Sequence, residues 1–293
     1  MAAGLAGVLP VCAQQAQPAP VAPAAPAPKS WTDSVTVKGD IRYRYESIDD
    51  ESKRDANGET YERQRDRIRA RLGVEAKMSA TMKAGIEFST GQSDPVSGNQ
   101  SLGDGFNKKD MKLNLAYFDW TLVDQDPNTV NLVGGKMKNP FICVSDLVWD
   151  GDLTPEGLAV KGQAAPLESL TLLANGGYMW VQERSTGNDD TKLYAGQGAV
   201  KYQPVPEFYV MVGAGYYQYD NMAGYQVLDW EGRNSGYGNS TVNGSVSGST
   251  TNKNYKFEYQ PLEIFAELGV FVGGFPITVY GQALSNSEAD DND

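Results

Sequence analysis

Arginine stands at every second position from Arg63 to Arg71 in the run RQRDRIRARLG, and Ile68, Ala70, Leu72, Val74, Ala76 and Met78 fill the opposite phase. On a helix a two-residue step turns about 200°, which would scatter the arginines around the axis. On a strand, alternate side chains share a face. The segment is therefore predicted to be a strand with one apolar and one cationic face. VTVKGDIRYRYESI repeats the pattern, with Val35, Val37, Ile41, Tyr43 and Tyr45 opposite Lys38, Asp40, Arg42, Arg44 and Glu46. MKAGIEFS follows suit, with Met82, Ala84, Ile86 and Phe88 opposite Lys83 and Glu87, and only Ser79-Ala80-Thr81 precede it, which predicts a tight hairpin. Further strands are predicted at 111–122, 129–137, 156–163, 169–181, 191–203, 208–219, 255–270 and 275–284. The alternation slips near Tyr117 and near Pro261, where bulges are expected. The count is about eleven strands and no helix, an all-β chain.

Three settings suit a cationic stripe: the wet face of a soluble sheet, a nucleic-acid surface, or the wall of a water-filled channel. The connections discriminate among them. Long and short ones alternate strictly: IDDESKRDANGET, then 79–81; 91–110, then DQDPN; 138–155, then QAAPLES; ERSTGNDD, then QPVPE; 220–254, then GGFP. Long loops at one end and short turns at the other are the layout of a transmembrane antiparallel up-and-down β-barrel. Aromatic residues fit the same map. Tyr43, Tyr45, Tyr178, Trp180, Tyr217, Tyr219, Tyr255 and Phe257 fall near the long-loop ends, and Trp120, Tyr202 and Phe208 near the short turns, as two interface belts would require. In a barrel wall the arginines face a wet lumen; turned to lipid, each would cost roughly 2–4 kcal/mol at mid-bilayer.

Composition narrows the chemistry. The net charge of -12 opposes nucleic-acid binding. No run approaches the roughly 18 apolar residues of a membrane helix, so strands are the only means of spanning. With no histidine and only Cys12 and Cys143, neither a metal site nor a cofactor is expected, and the usual general base of outer-membrane hydrolases is missing. The paired carboxylates Asp49/Asp50 and Asp189/Asp190 lie in polar loops. No enzyme is indicated. MAAGLAGVLPVCAQQ has the apolar and cleavage regions of a secretory signal over residues 1–13, with Val11-Cys12-Ala13 as the cut site, although no Lys or Arg precedes them. Residues 14–30 are a Pro/Ala-rich linker, and 31–293 form the barrel.

The runs RDRIRARLGVEAKM, GGKMKNPF and DLVWDGDLTPEGLAVKG resemble the putative porin family of Gram-negative outer membranes, over most of the chain from about Val35. The resemblance implies a 16-stranded barrel, a homotrimer in outer-membrane lipid, passing ions and small hydrophilic solutes by diffusion. The long connection NPFICVSDLVWDGDLTP is too apolar for a solvated loop. In porins the third outer loop folds into the barrel. By that likeness Asp146, Asp150 and Asp152 would form an acidic constriction opposite the basic wall of Arg42, Arg44, Arg65, Arg67, Arg69 and Arg71. Asp40, Glu46, Glu75 and Glu87 share the arginines' face and are expected to counter some of them. A loop packed on the barrel rim is the plainer alternative. At the level of function the alternatives are a non-conducting barrel acting as an adhesin through its outer loops, with Tyr225, Trp230 and Tyr237 as its contact surface, and a soluble secreted sandwich. Eleven strands starting at the short-turn side end at the long-loop side, so SNSEADDND reads as the start of another outer loop. Bacterial single-chain barrels have even strand numbers, and the chain is expected to lack C-terminal strands.

Overall fold

The alternating segments pair side by side in chain order. The computed structural model describes residues 31–54, 58, 60–185, 187, 189–230, 236–247 and 250–289; the signal-like segment, the linker and Cys12 lie outside them. Its strands are β1 (Val35–Arg54), β2 (Thr60–Lys77), β3 (Met82–Thr90), β4 (Gln100–Ser101), β5 (Met111–Gln125), β6 (Asn128–Lys136), β7 (Glu156–Leu167), β8 (Leu170–Gln182), β9 (Thr191–Val205), β10 (Phe208–Asp220), β11 (Thr241–Ser247), β12 (Thr250–Tyr255), β13 (Pro261–Val272) and β14 (Phe275–Asn286). The main sheet is antiparallel and runs β1-β2-β3-β5-β6-β7-β8-β9-β10-β13-β14, with β4 beside β2; β11 and β12 form a separate hairpin. Among the described residues β1 and β14 do not pair with each other, and the only helix is a 3-10 turn at Trp31–Ser34.

One end of the sheet carries tight turns. At 78–81 the Ser79 Oγ accepts the backbone N–H groups of Thr81 and Met82 at 3.2 and 3.1 Å. Val272 pairs with Phe275 across Gly273-Gly274, whose φ values of 59° and 86° suit a two-residue hairpin that needs positive φ at both centres. The opposite end carries the long connections.

The faces are reversed relative to a soluble sheet. Ile41 is 79% and Leu72 55% exposed, while Arg69 is 8% exposed. An extended apolar outer face with polar residues inside is what lipid outside and water inside select. The sheet also curls. Ser145 bonds Gln282 on β14, and Asp152 bonds Arg69 on β2. In a flat sheet the nine steps from β2 to β14 would span about 43 Å. Seven residues of chain reach at most about 25 Å, too short even with side chains added.

Several expectations need correction. The predicted loop after β1 is mostly strand, since the β1–β2 ladder continues to Arg54 opposite Thr60. The bulge expected near Tyr117 sits at Asn114, which is skipped between the pairs Glu87–Leu115 and Phe88–Leu113; its Nδ2 donates instead to Glu87 at 2.7 Å. The segment 255–270 is not one strand. Tyr255 ends β12, and Pro261, which lacks an N–H, opens β13 rather than marking a bulge within it. The connection 220–254 carries most of the β11–β12 hairpin, and its Met222 and Val227 form a small core with Tyr255. Tyr217 and Tyr219 leave the expected outer belt. They share the inner face of β10 with Met211, and Tyr216, 43% exposed, points outward instead.

Candidate channel wall and inner loop

The β1–β2 register places Arg42 opposite Arg69 and Arg44 opposite Arg67. Alternate guanidiniums along β2 would stand about 6.6–6.8 Å apart, inside the Debye length of roughly 8 Å, so they need counter-charges. Glu46 supplies three contacts, accepting from Arg65, Arg44 and Arg67 at 2.6, 2.8 and 3.2 Å. Asp40 takes Arg71 at 2.6 Å and Arg69 at 3.3 Å. Asp152 joins from the connection 137–155, 2.8 Å from Arg69 and 3.9 Å from Arg71. Arg42 forms no ion pair among the described residues and donates to Asn99 Oδ1 at 2.8 Å. Six arginines thus meet three carboxylates, and the wall stays net positive.

Of the three loop carboxylates singled out from sequence, Asp152 alone reaches the arginines. Asp150 accepts the Asp152 backbone N–H at 2.7 Å, shaping the turn. Asp146 is exposed and forms no ion pair among the described residues. Glu75 and Glu87 do not counter arginine either. Glu75 lies 3.5 Å from Lys38 and 3.6 Å from Lys83 and accepts the Tyr117 hydroxyl at 2.8 Å. Sequence reasoning gave 91–110 only as a long connection and missed its contact with the arginine wall. Its β4 segment pairs with Arg67 and Ile68 above the end of β3, and Arg67 donates to the Asn99 carbonyl at 2.9 Å.

The loop 138–155 lies against the inner face. Phe141 and Trp149 are buried and stacked 5.4 Å apart, each edge-on to Tyr217; each such ring pair adds about 0.5–1.5 kcal/mol beyond area burial. Val144 packs with Ala199, Met211 and Phe265. The Gln197 amide clamps the loop backbone, accepting from Ile142 N at 2.7 Å and donating to Ile142 O at 3.0 Å. Behind it, buried Glu263 accepts from Tyr217 and Gln282, both at 2.5 Å. Gly215 leaves the room, since a Cβ there would sit 2.6 Å from the Tyr217 hydroxyl and 2.8 Å from Glu263. Gln197 and Glu263 read in sequence as ordinary inward positions; polar residues alternating with Leu262 and Ile264 were the only signal.

The sequence profile of the family described as "Putative porin" matches residues 50–259. The chain belongs to the putative porin family. No match was found among curated proteins. A porin-type channel is the general activity this membership supports, and it suggests no enzyme.

Two cavities flank the porin's inner loop. The outer one, about 640 Å³, is lined by Arg69, Arg71, Trp149 and Asp152 together with the outer connections. The other, about 540 Å³, is lined by Phe141 and Ile142 of the loop with Lys83, Asp119 and Lys161 toward the short turns. Cys143 is exposed on the loop. Partial burial of its sulfur, then the nearby carboxylates of Glu263 and Asp146, push its thiol up to about 11, so it is protonated at neutral pH.

Proposed function

We propose that this porin forms a water-filled channel in the bacterial outer membrane for passive diffusion of ions and small hydrophilic solutes. In this reading residues 31–293 are the barrel unit, residues 1–13 an export signal, residues 14–30 a linker, and the working assembly a homotrimer in outer-membrane lipid. Arg42, Arg44, Arg65, Arg67, Arg69 and Arg71 line one side of the path. The loop 138–155 narrows it, with Asp152 facing them and Asp146 and Asp150 adding negative charge nearby. The observation that carries the reading is the crossing of the inner face by this loop, bonded to Arg69 on β2 at one end and to Gln282 on β14 at the other. Opposed charges across a constriction bias which ions pass. Planar-bilayer conductance under a salt gradient tests it. Replacing Arg67, Arg69 and Arg71 with Ser should move the reversal potential toward cation preference, less so as salt rises. An unchanged reversal potential at low salt would remove the arginines from the path. Absence of conductance from folded, inserted protein would favour the alternative of a non-conducting adhesin barrel, with Tyr225, Trp230 and Tyr237 of the connection 220–254 as its contact surface.

A further inference from the structure

The outer cavity has two unlike walls. One is cationic, carrying Arg69, Arg71 and Lys112; Lys112 forms no ion pair among the described residues. Arg71 gives its Nε to Asp40 at 2.6 Å and holds Asp152 only at 3.9 Å, which leaves terminal guanidinium donors for a further acceptor. The other wall is apolar, with Leu153, Met222, Leu228 and Trp230. Trp230 is stacked on Tyr237 at 4.5 Å and 16°, so its ring is held in place rather than free. Asp94, Asp152 and Glu156 also line the space, and Glu156 engages Lys136 at 3.0 Å. The surplus of positive charge is therefore small. A polyanion would meet those carboxylates and be repelled; a single negative charge would not exceed what Arg71 and Lys112 offer.

A purely polar solute would leave the apolar wall facing water, and a purely apolar one would leave the guanidinium donors without a partner. A planar ring bearing one carboxylate suits both walls: the guanidinium can take a carboxylate end-on through parallel N–H bonds from its two terminal nitrogens, and the ring covers the leucine and tryptophan surface. The volume lies within the roughly 300–1,000 Å³ of ordinary small-ligand sites. The geometry points to the outer cavity as a subsite for small aromatic monocarboxylates, taken up ahead of the inner loop. The assignment deepens the channel reading above and rests on it for its place on a transport path.

The test uses the full chain and three probes: phenylacetate, acetate, which lacks the ring, and phenylacetamide, which lacks the charge. In planar bilayers phenylacetate should depress the current saturably. Its half-effect concentration should lie about tenfold or more below that of either control, the equivalent of about 1.4 kcal/mol of ring burial or charge pairing. Arg71→Ser should bring phenylacetate to the level of phenylacetamide, and Leu228→Ser should bring it toward acetate; Arg71→Lys should recover part of the charge effect. Tryptophan fluorescence of the detergent-solubilised protein, titrated with the same probes, reads the site without conduction, since Trp149 and Trp230 line it. Equal responses to phenylacetate and acetate in both assays overturn the subsite and leave the channel standing. A saturable fluorescence response specific to phenylacetate without any conductance supports the subsite and overturns the channel.

Discussion

The inner loop is held by two regions built on different physics. On the β1–β2 side the contact is ionic: Asp152 meets Arg69 within a lattice of guanidiniums and carboxylates. On the β8–β13 side it is neutral and largely dry: stacked rings, the Gln197 clamp, and Phe265 under Val144. Ionic contacts in a wet lumen weaken with salt, whereas ring packing and buried amide bonds do not. The neutral side should therefore fix where the loop sits, and the ionic side should tune the field beside it.

The strongest way to break this contrast is Trp149→Ala. It removes a buried ring and both of its aromatic partners' contacts, costing about 3–5 kcal/mol. The expected outcome is a lower melting temperature and a larger, noisier single-channel conductance; unchanged values of both would refute the neutral anchor. Gln197→Leu should come next, at about 1–3 kcal/mol, because the Ile142 N–H and C=O lose their partner. Its effect on conductance should be the same at low and high salt. Asp152→Asn should matter less for stability, about 1 kcal/mol or below, since Arg69 keeps Asp40 and the site is partly wet. Its signature is a reversal potential shifted toward anions that fades as salt approaches 1 M, where the Debye length is about 3 Å. The smallest perturbation only watches the loop. Cys143, in a Cys12→Ser background, should react slowly with a methanethiosulfonate at neutral pH, because its thiolate is scarce. Trp149→Ala should speed that reaction and Asp152→Asn should leave it unchanged.

Much of the sheet was legible in the chain. Most of the eleven segments alternate with period two, with slips near Tyr117 and Pro261, and Ser79-Ala80-Thr81 or Gly273-Gly274 allow little besides a tight turn. The arginine stripe was legible for the same reason, because β2 presents it on one face whatever its neighbours do. What was hidden depends on closure in space. Nothing local marks Asn114 as the bulged residue rather than Tyr117, since the slip is decided by where β3 presents its partners. Asp146, Asp150 and Asp152 look alike in sequence; only the turn made by Asp150 aims Asp152 at Arg69. Gln197 and Glu263 become anchors because the curl of the sheet brings β9 and β13 beneath a loop that starts beyond β6.

The height of the arginine lattice carries its own consequence. Arg42 and Arg44 alternate along β1 with Tyr43 and Tyr45, which are 65% and 57% exposed on the outer face, and Tyr43 donates to Asp66 across the strand pair at 2.5 Å. Outward tyrosines of this kind sit at the boundary between lipid and water. In the proposed channel Arg42 and Arg44, which alternate with these tyrosines, would stand near the outer mouth. Charge at an entrance acts chiefly on how often solutes arrive, by focusing the field into the opening, so this end of the proposed wall would act on capture rate.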